Sequence, residues 1–234
     1  MIYDVITLFP EIIISYCSQS IAKRGIENGI ISVNAHNPRE FSLDKHKRVD
    51  DTPYGGGDGM VLACQPIFDC YRNIEKKENY EFIMLSPQGE KFNQNIAVEL
   101  AKKEQIILLC GHYEGFDERI RLGLKPREIS IGDFVLTGGE LPALILIDSI
   151  SRNIENFLGK DKCAHDDSFS SGLNGLLEYP HYTKPRDFRG YKVPEVLLNG
   201  NHKEINEFRL AQQIERTKTR RPDLYEKYLN ENKD

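Results

Sequence analysis

The sequence predicts a two-domain α/β protein, a parallel sheet followed by a small α-helical C-terminal domain, and three observations predict it. Short apolar runs alternate with helical periodicity along residues 1–159. Two of those runs, Phe82–Ser86 and Ile106–Cys110, are nearly continuous, as parallel strands covered on both faces are. The alternation then disappears between Gly159 and Tyr182, where Gly, Ser, Asp and Asn dominate, and resumes as short helices. We therefore divide the chain into a sheet domain (1–159), a linker (160–178) and a helical domain (179–234). At 234 residues, with 39% hydrophobic and 29% charged residues, the composition is that of an ordinary globular protein with more than one minimal core.

The elements follow in order. Ile2–Phe9 reads as a strand closed by Pro10, Glu11–Asn28 as a helix stopped by Gly29, and Ile30–Ala35 as a second strand. A long loop from His36 to Gly59 carries the run Pro53-Tyr54-Gly55-Gly56-Gly57-Asp58-Gly59, and such length inside a compact domain marks function or disorder. Beyond it we read Gln65–Lys77 as a helix, Phe82–Ser86 as a strand, Asn93–Glu104 as a helix and Ile106–Cys110 as a strand. Asp117–Leu124 reads as a helix, Glu128–Leu136 as a strand, and Glu140–Asn156 as a helix that tolerates Pro142 in its first turn. In the C-terminal part the clearest helices are Lys203–Arg216 and Asp223–Asn230.

Several function classes are disfavoured. The apolar stretch Leu141–Ile147 contains Pro142, ends at Asp148 and is far short of a bilayer span. The start Met1-Ile2-Tyr3-Asp4 lacks the marks of a secretory signal, so a cytoplasmic location is expected. Five cysteines without a C-x-x-C pair read as reduced, mostly buried thiols. A net charge of −5 argues at first against a nucleic-acid partner, but ten Lys/Arg stand against five acids between Lys184 and Arg221. That leaves +5 locally and −10 elsewhere, an asymmetry that suggests a polyanion-facing end.

Three segments follow or end predicted strands: Ser86-Pro87-Gln88-Gly89, Gly111-His112-Tyr113-Glu114-Gly115, and Ile131 through Glu140. Ligands of open α/β sheets sit outside the carboxyl ends of strands, and glycines there admit backbone groups close to a ligand. Taken singly, each loop is as well explained as a turn; the set makes a site candidate. No G-x-x-x-x-G-K-[ST] occurs, and Gly55–Gly59 fails G-x-G-x-x-G because Met60 and Leu62 stand where the last glycine belongs. His112-Tyr113-Glu114 has the H-x-E of zinc deaminases without the P-C-x-x-C that completes their site. His165-Asp166-Asp167-Ser168-Phe169 is what a solvated loop contains, and Arg152 stands where an i,i+4 pair with Asp148 would form.

These motifs together resemble a known family, the bacterial tRNA (guanine-N1)-methyltransferases of the SPOUT class. The resemblance covers nearly the whole chain. It includes Leu8-Phe9-Pro10-Glu11, Pro53–Met60, Leu85–Gly89, Gly111–Arg119, Ser130–Ala143, Asp167-Ser168-Phe169, Pro180-His181-Tyr182 and Arg220-Arg221-Pro222. It implies a SPOUT domain with a deep trefoil knot in the C-terminal part of the sheet, against the usual rule that chains do not thread loops, and an obligate homodimer. It further implies methyl transfer from S-adenosyl-L-methionine to N1 of guanine 37 of tRNA.

Carried over residue by residue, the donor site would comprise Pro87, Gln88, Gly89, Gly111, Tyr113, Glu114, Ile131, Gly132, Asp133, Phe134, Val135, Leu136, Gly138, Gly139 and Pro142. The base would be Asp167, in the family's Asp-Ser-Phe motif, and its helper Arg152; one subunit's base would act beside the other subunit's donor. Glu178 falls where the family has an aspartate near the target base. With the basic end, Lys184, Arg186, Arg189, Arg216, Arg220 and Arg221 become RNA-contact candidates. Mg²⁺ is implied, although no dedicated carboxylate cage is visible in the sequence. The stretch Gly172–Glu178 is longer than is usual in the family, and His112, Phe134 and Lys184 replace what are often Arg, Tyr and Arg. Two rivals remain: an RNA-binding or assembly factor without catalysis, and a SPOUT methyltransferase acting at another RNA position.

Overall fold

The computed structural model describes residues 1–159 and 167–231. Two compact units divide at Gly159. Cys163, His165 and Asp166 lie outside the described residues.

Unit 1 contains β1 (Ile2–Ile6), α1 (Pro10–Cys17), α2 (Ser20–Glu27), β2 (Ser32–His36), a short β3–β4 pair (Asp50–Asp51 and Val61–Leu62) and α3 (Cys64–Asn73). It continues through β5 (Tyr80–Lys91), α4 (Gln94–Leu100), β6 (Gln105–Leu109), α5 (Glu118–Leu124), β7 (Arg127–Ser130) and α6 (Glu140–Ser151). The main sheet is five-stranded and parallel in the order β2-β1-β6-β5-β7. The chain leaves β5 for β6 on one side and then passes to β7 on the other, so the register break in β5 at residues 86–89 and the loops after β6 and β7 are neighbours.

Burial explains why these runs are strands. Tyr3 and Val5, Ile83 and Leu85, and Ile106 and Leu108 face one apolar layer with α1, α4 and α6; Ile6, Phe82, Met84, Ile107 and Leu109 face a second layer with α3 and α5. Successive strand residues point to opposite faces, so both must be apolar where both faces are covered. Each fully buried Leu or Ile contributes about 1.5–3 kcal/mol. Exposed ion pairs such as Lys23–Glu27 contribute about 0–1 kcal/mol, so the apolar layers hold the sheet.

Four readings need correction. The expected helix Glu11–Asn28 is two helices, α1 ending at Cys17 and α2 beginning at Ser20, whose φ of 51° is incompatible with one continuous helix. The expected strand Glu128–Leu136 stops at Ser130, because Gly132 turns the chain with φ 150° and Ser130 Oγ both donates to the Gly132 carbonyl and accepts from its amide. The strand expected over Phe82–Ser86 runs from Tyr80 to Lys91 with a break in register: Leu85 and Glu90 both pair with Ile129, so residues 86–89 leave the ladder and rejoin it. The helix expected over Glu140–Asn156 ends at Ser151.

Unit 2 contains a hairpin that periodicity did not reveal, β8 (Asp187–Phe188) with β9 (Tyr191–Lys192), then α7 (His202–Arg220) and α8 (Pro222–Glu231). The hairpin strands are two residues each, too short to show alternation. Asn201 caps α7 by accepting from the Lys203 and Glu204 amides, while its own amide group donates to Glu204 Oε1 at 2.7 Å. Residues 167–177 fold back on themselves: Phe169 N donates to the Leu176 carbonyl, and Leu177 N donates to Thr217 Oγ1 of α7 at 2.9 Å.

Candidate active site

The break within β5 and the loops after β6 and β7 enclose a cavity of about 450 Å³ in unit 1. The first segment, at the break within β5, supplies Leu85, Ser86, Pro87 and Gln88; the second, the loop after β6, supplies Gly111 through Phe116. The third supplies Ser130 through Gly132 and Phe134 through Gly139, with Pro142 from the first turn of α6 and Arg121 from α5 closing the wall. Of the fifteen donor-site expectations, Gly89 and Asp133 are not among the lining residues. Gly89 lies against the β7 backbone, where an added Cβ would stand 2.4 Å from the Glu128 carbonyl carbon. Asp133 points to solvent and meets Lys91 at 3.3 Å.

Local chemistry explains the cavity's shape. The third loop passes tightly against the second: Gly139 N donates to the Gly111 carbonyl at 2.8 Å, and a Cβ on Gly139 would meet Cys110 Cα at 2.6 Å. Tyr113 holds a left-handed φ of 59°. The glycine run after Pro53 seats Glu114: the Glu114 amide donates to the Met60 carbonyl, and a Cβ on Gly59 would fall 2.6 Å from Glu114 Cγ. Tyr113, Phe134 and Val135 leave apolar surface exposed at the rim.

Beneath the cavity, Glu140 is buried at the N-terminus of α6 and accepts from Thr7 Oγ1 at 2.7 Å. That helix end favours a carboxylate. Burial, reinforced by the Glu140 carboxylate, raises the Cys110 thiol well above its ordinary range, so it stays protonated. The three segments singled out in the sequence already held Ser86, His112 and Thr137; sequence reasoning missed Leu85, Phe116, Arg121, Ile129 and Ser130 as lining residues. Arg121 donates to Glu128 at 3.0 Å and to Glu118 at 2.8 Å.

Arg152 is the exposed residue that ends α6 in unit 1. Asp167 belongs to unit 2, where its carbonyl accepts from Ser170 N. Glu178 pairs with His181 at 2.7 Å, and its amide donates to Ser168 Oγ. Among the RNA-contact candidates, Lys184 and Arg186 line a second cavity within unit 2. Arg189 sits at the hairpin turn over the Phe188 ring, Arg216 is half-buried, Arg220 is exposed, and Arg221 pairs with Asp223 beneath an approach to Phe169. Among the described residues no group of three or more His, Cys, Asp or Glu side chains is disposed to hold a metal ion. Nor is any described helix long and apolar enough to cross a membrane.

Comparison with known proteins matches residues 1–227 to the family described as tRNA (Guanine-1)-methyltransferase TrmD. A curated tRNA (guanine-N(1)-)-methyltransferase of Clostridioides difficile (strain 630) is 56% identical over 230 residues, covering 97% of this chain and 98% of that protein. Its namesakes are 51% identical in Ruminiclostridium cellulolyticum (strain ATCC 35319 / DSM 5812 / JCM 6584 / H10), over 99% of both chains, and 52% identical in Dehalococcoides mccartyi (strain ATCC BAA-2100 / JCM 16839 / KCTC 5957 / BAV1), over 96% of this chain and 90% of that one. With the match running through the loops that enclose the cavity as well as the sheet beneath them, the chain belongs to the tRNA (Guanine-1)-methyltransferase family.

Proposed function

We propose that this protein transfers the methyl group of S-adenosyl-L-methionine to N1 of guanine 37 of tRNA, as a cytoplasmic homodimer whose sheet domain carries a trefoil knot. The observation that carries the reading is the cavity built from the break in β5 and the two glycine-bearing loops after β6 and β7, in a chain matched to this family along residues 1–227. Its volume of about 450 Å³ falls within the range of small-molecule sites. The close backbone approaches at Gly111 and Gly139 suit recognition of a purine edge without side chains.

N1 of neutral guanine carries a proton and is a poor nucleophile. Asp167 takes that proton while the N1–methyl bond forms and the sulfonium–methyl bond breaks, leaving S-adenosylhomocysteine and methylated guanine. Arg152 stabilises negative charge gathering on guanine O6. General-base assistance of this kind is worth about 10²- to 10⁴-fold in rate. The side chains of the described residues do not offer a cage for Mg²⁺, and no step here passes through it. Lys184, Arg186, Arg189, Arg216, Arg220 and Arg221 supply the cationic face for tRNA phosphates, with Glu178 near the target base.

The test is methyl transfer from labelled donor, with Mg²⁺ present, to two matched tRNA transcripts carrying guanine or adenine at position 37. Label in the first alone is expected, with Asp167→Ala keeping donor affinity and losing about 10²- to 10⁴-fold in turnover. Label in both transcripts would assign another RNA position, and label in neither would favour an RNA-binding protein without catalysis.

A further inference from the structure

The second cavity, about 470 Å³ and wholly within unit 2, has no part in the methyl-transfer step, although Lys184 and Arg186, two of the proposed phosphate contacts, line it. One wall is the segment from Tyr179 to Arg186; another is the face of α7 that carries Ile205 and Arg209, four residues apart. Its composition is unusual for a chain of net charge −5: Lys184, Arg186 and Arg209 line it, and no Asp or Glu does. The adjoining acid, Glu178, is engaged by His181. Val193, Leu197, Leu198 and Ile205 provide an apolar floor, and Tyr179 and Tyr182 add flat aromatic surface.

Arg209 is the informative residue. Its guanidinium lies 4.6 Å from the Tyr179 ring centroid, and its Nε is buried without a hydrogen-bond partner. Arg209 as a whole is half-buried and lines the cavity, and no carboxylate lines the cavity to pair with its charge, so an anionic acceptor that arrives with a ligand would supply the missing partner. A phosphate bound at the surface would satisfy the cations and leave the apolar floor without purpose. A purely apolar ligand would satisfy the floor and strand Arg209. A nucleotide answers both, because its base has an apolar face that stacks on aromatic rings and its phosphate matches the planar fork of arginine.

We propose that this cavity receives one nucleotide of the RNA substrate, its base against Tyr179, Tyr182 and the apolar floor and its phosphate drawn to Lys184, Arg186 and Arg209. The inference rests on the reading of the protein as a tRNA methyltransferase. Arg209 is then a binding residue that a count of ten cations in the basic segment does not single out.

Fluorescence anisotropy of a labelled tRNA transcript with the full-length protein tests it, alongside donor binding and thermal melting. Three variants are compared. Arg209→Met removes the charge and keeps the stem, Ile205→Phe fills the cavity without changing charge, and Tyr182→Ala removes a ring that is 47% exposed. Each is expected to raise the Kd for tRNA about tenfold, within the range for one stacked base, with donor affinity unchanged. Arg209→Met should also lower the salt slope by about one. Loss in Arg209→Met alone, with Ile205→Phe and Tyr182→Ala binding as wild type does, would reduce the site to a surface phosphate contact and overturn the proposal. Where Arg209→Met or Ile205→Phe lowers the melting temperature, Tyr182→Ala decides. A wild-type protein that methylates the transcript while all three variants bind it normally defeats this inference alone; one that neither binds nor methylates it defeats the broader reading as well.

Discussion

A methyl group added at Gly139 would sit 2.6 Å from Cys110 Cα and 2.7 Å from Gly111 N, both backbone atoms that no rotamer change can move. Gly55, Gly56 and Gly57 differ in kind: they hold positive φ with open space around them, so their glycines serve a turn rather than a close approach. Gly139→Ala is therefore expected to force the third loop off the second, at about 1–3 kcal/mol of stability, and to weaken S-adenosylmethionine binding at least tenfold by calorimetric titration. Unchanged affinity would show that the close approach at Gly139 does not shape the donor site. Glycines at the ends of strands could be picked out in the sequence; which of them presses on a neighbouring backbone could not, because that depends on a loop 28 residues away meeting Gly111 in space.

Among the elements, β1 carries a buried carboxylate that makes part of the stability of unit 1 depend on pH. Asp4 is 4% exposed and accepts from His36 Nε2 of β2 at 2.7 Å, Gln105 Nε2 of β6 at 2.7 Å and Asn34 Nδ2 at 3.1 Å. Burial alone would raise its pKa, but hydrogen bonds from His36, Gln105 and Asn34 outweigh it and hold the carboxylate below its ordinary range. A group with a depressed folded pKa stabilises the fold above its unfolded pKa, and that contribution is lost as pH falls through the folded value. Melting temperatures followed downward from pH 6 should thus fall more steeply below about pH 4 for the wild type than for Asp4→Asn. Parallel curves would remove Asp4 as the source. Such a network joins three strands and left no periodic trace, whereas the four consecutive buried apolar residues Ile106–Leu109 of β6 were plain from their run. The β7 misreading has the opposite cause: Ile131, Phe134, Val135 and Leu136 are strand-forming residues spent on a cavity wall and rim, where local propensity loses to the turn at Gly132.

At the scale of the whole molecule, α1 and α6 lie side by side, joined by Tyr16 Oη donating to Asp148 at 3.1 Å, and expose Ile12, Tyr16, Leu141 and Ile145 in two i,i+4 rows. A surface of this kind is what a second copy would cover, in accord with the proposed homodimer. The dimer reading also makes a demand on catalysis, since it has Asp167 of one protomer act beside the donor cavity of the other. Asp167→Ala leaves the cavity intact and removes the base; Gly139→Ala does the reverse. Each homodimer should be nearly inactive, but a mixed dimer has one complete site, formed by the cavity of the first protomer and the Asp167 of the second. Random exchange of equal amounts makes half the dimers mixed, each with one of two sites whole, so denaturing and refolding the two variants together should recover about a quarter of wild-type turnover. The same mixture without subunit exchange should stay inactive. If exchange, verified by differently tagged chains, restores nothing, base and donor belong to one protomer and the shared-site mechanism fails, whatever the oligomeric state.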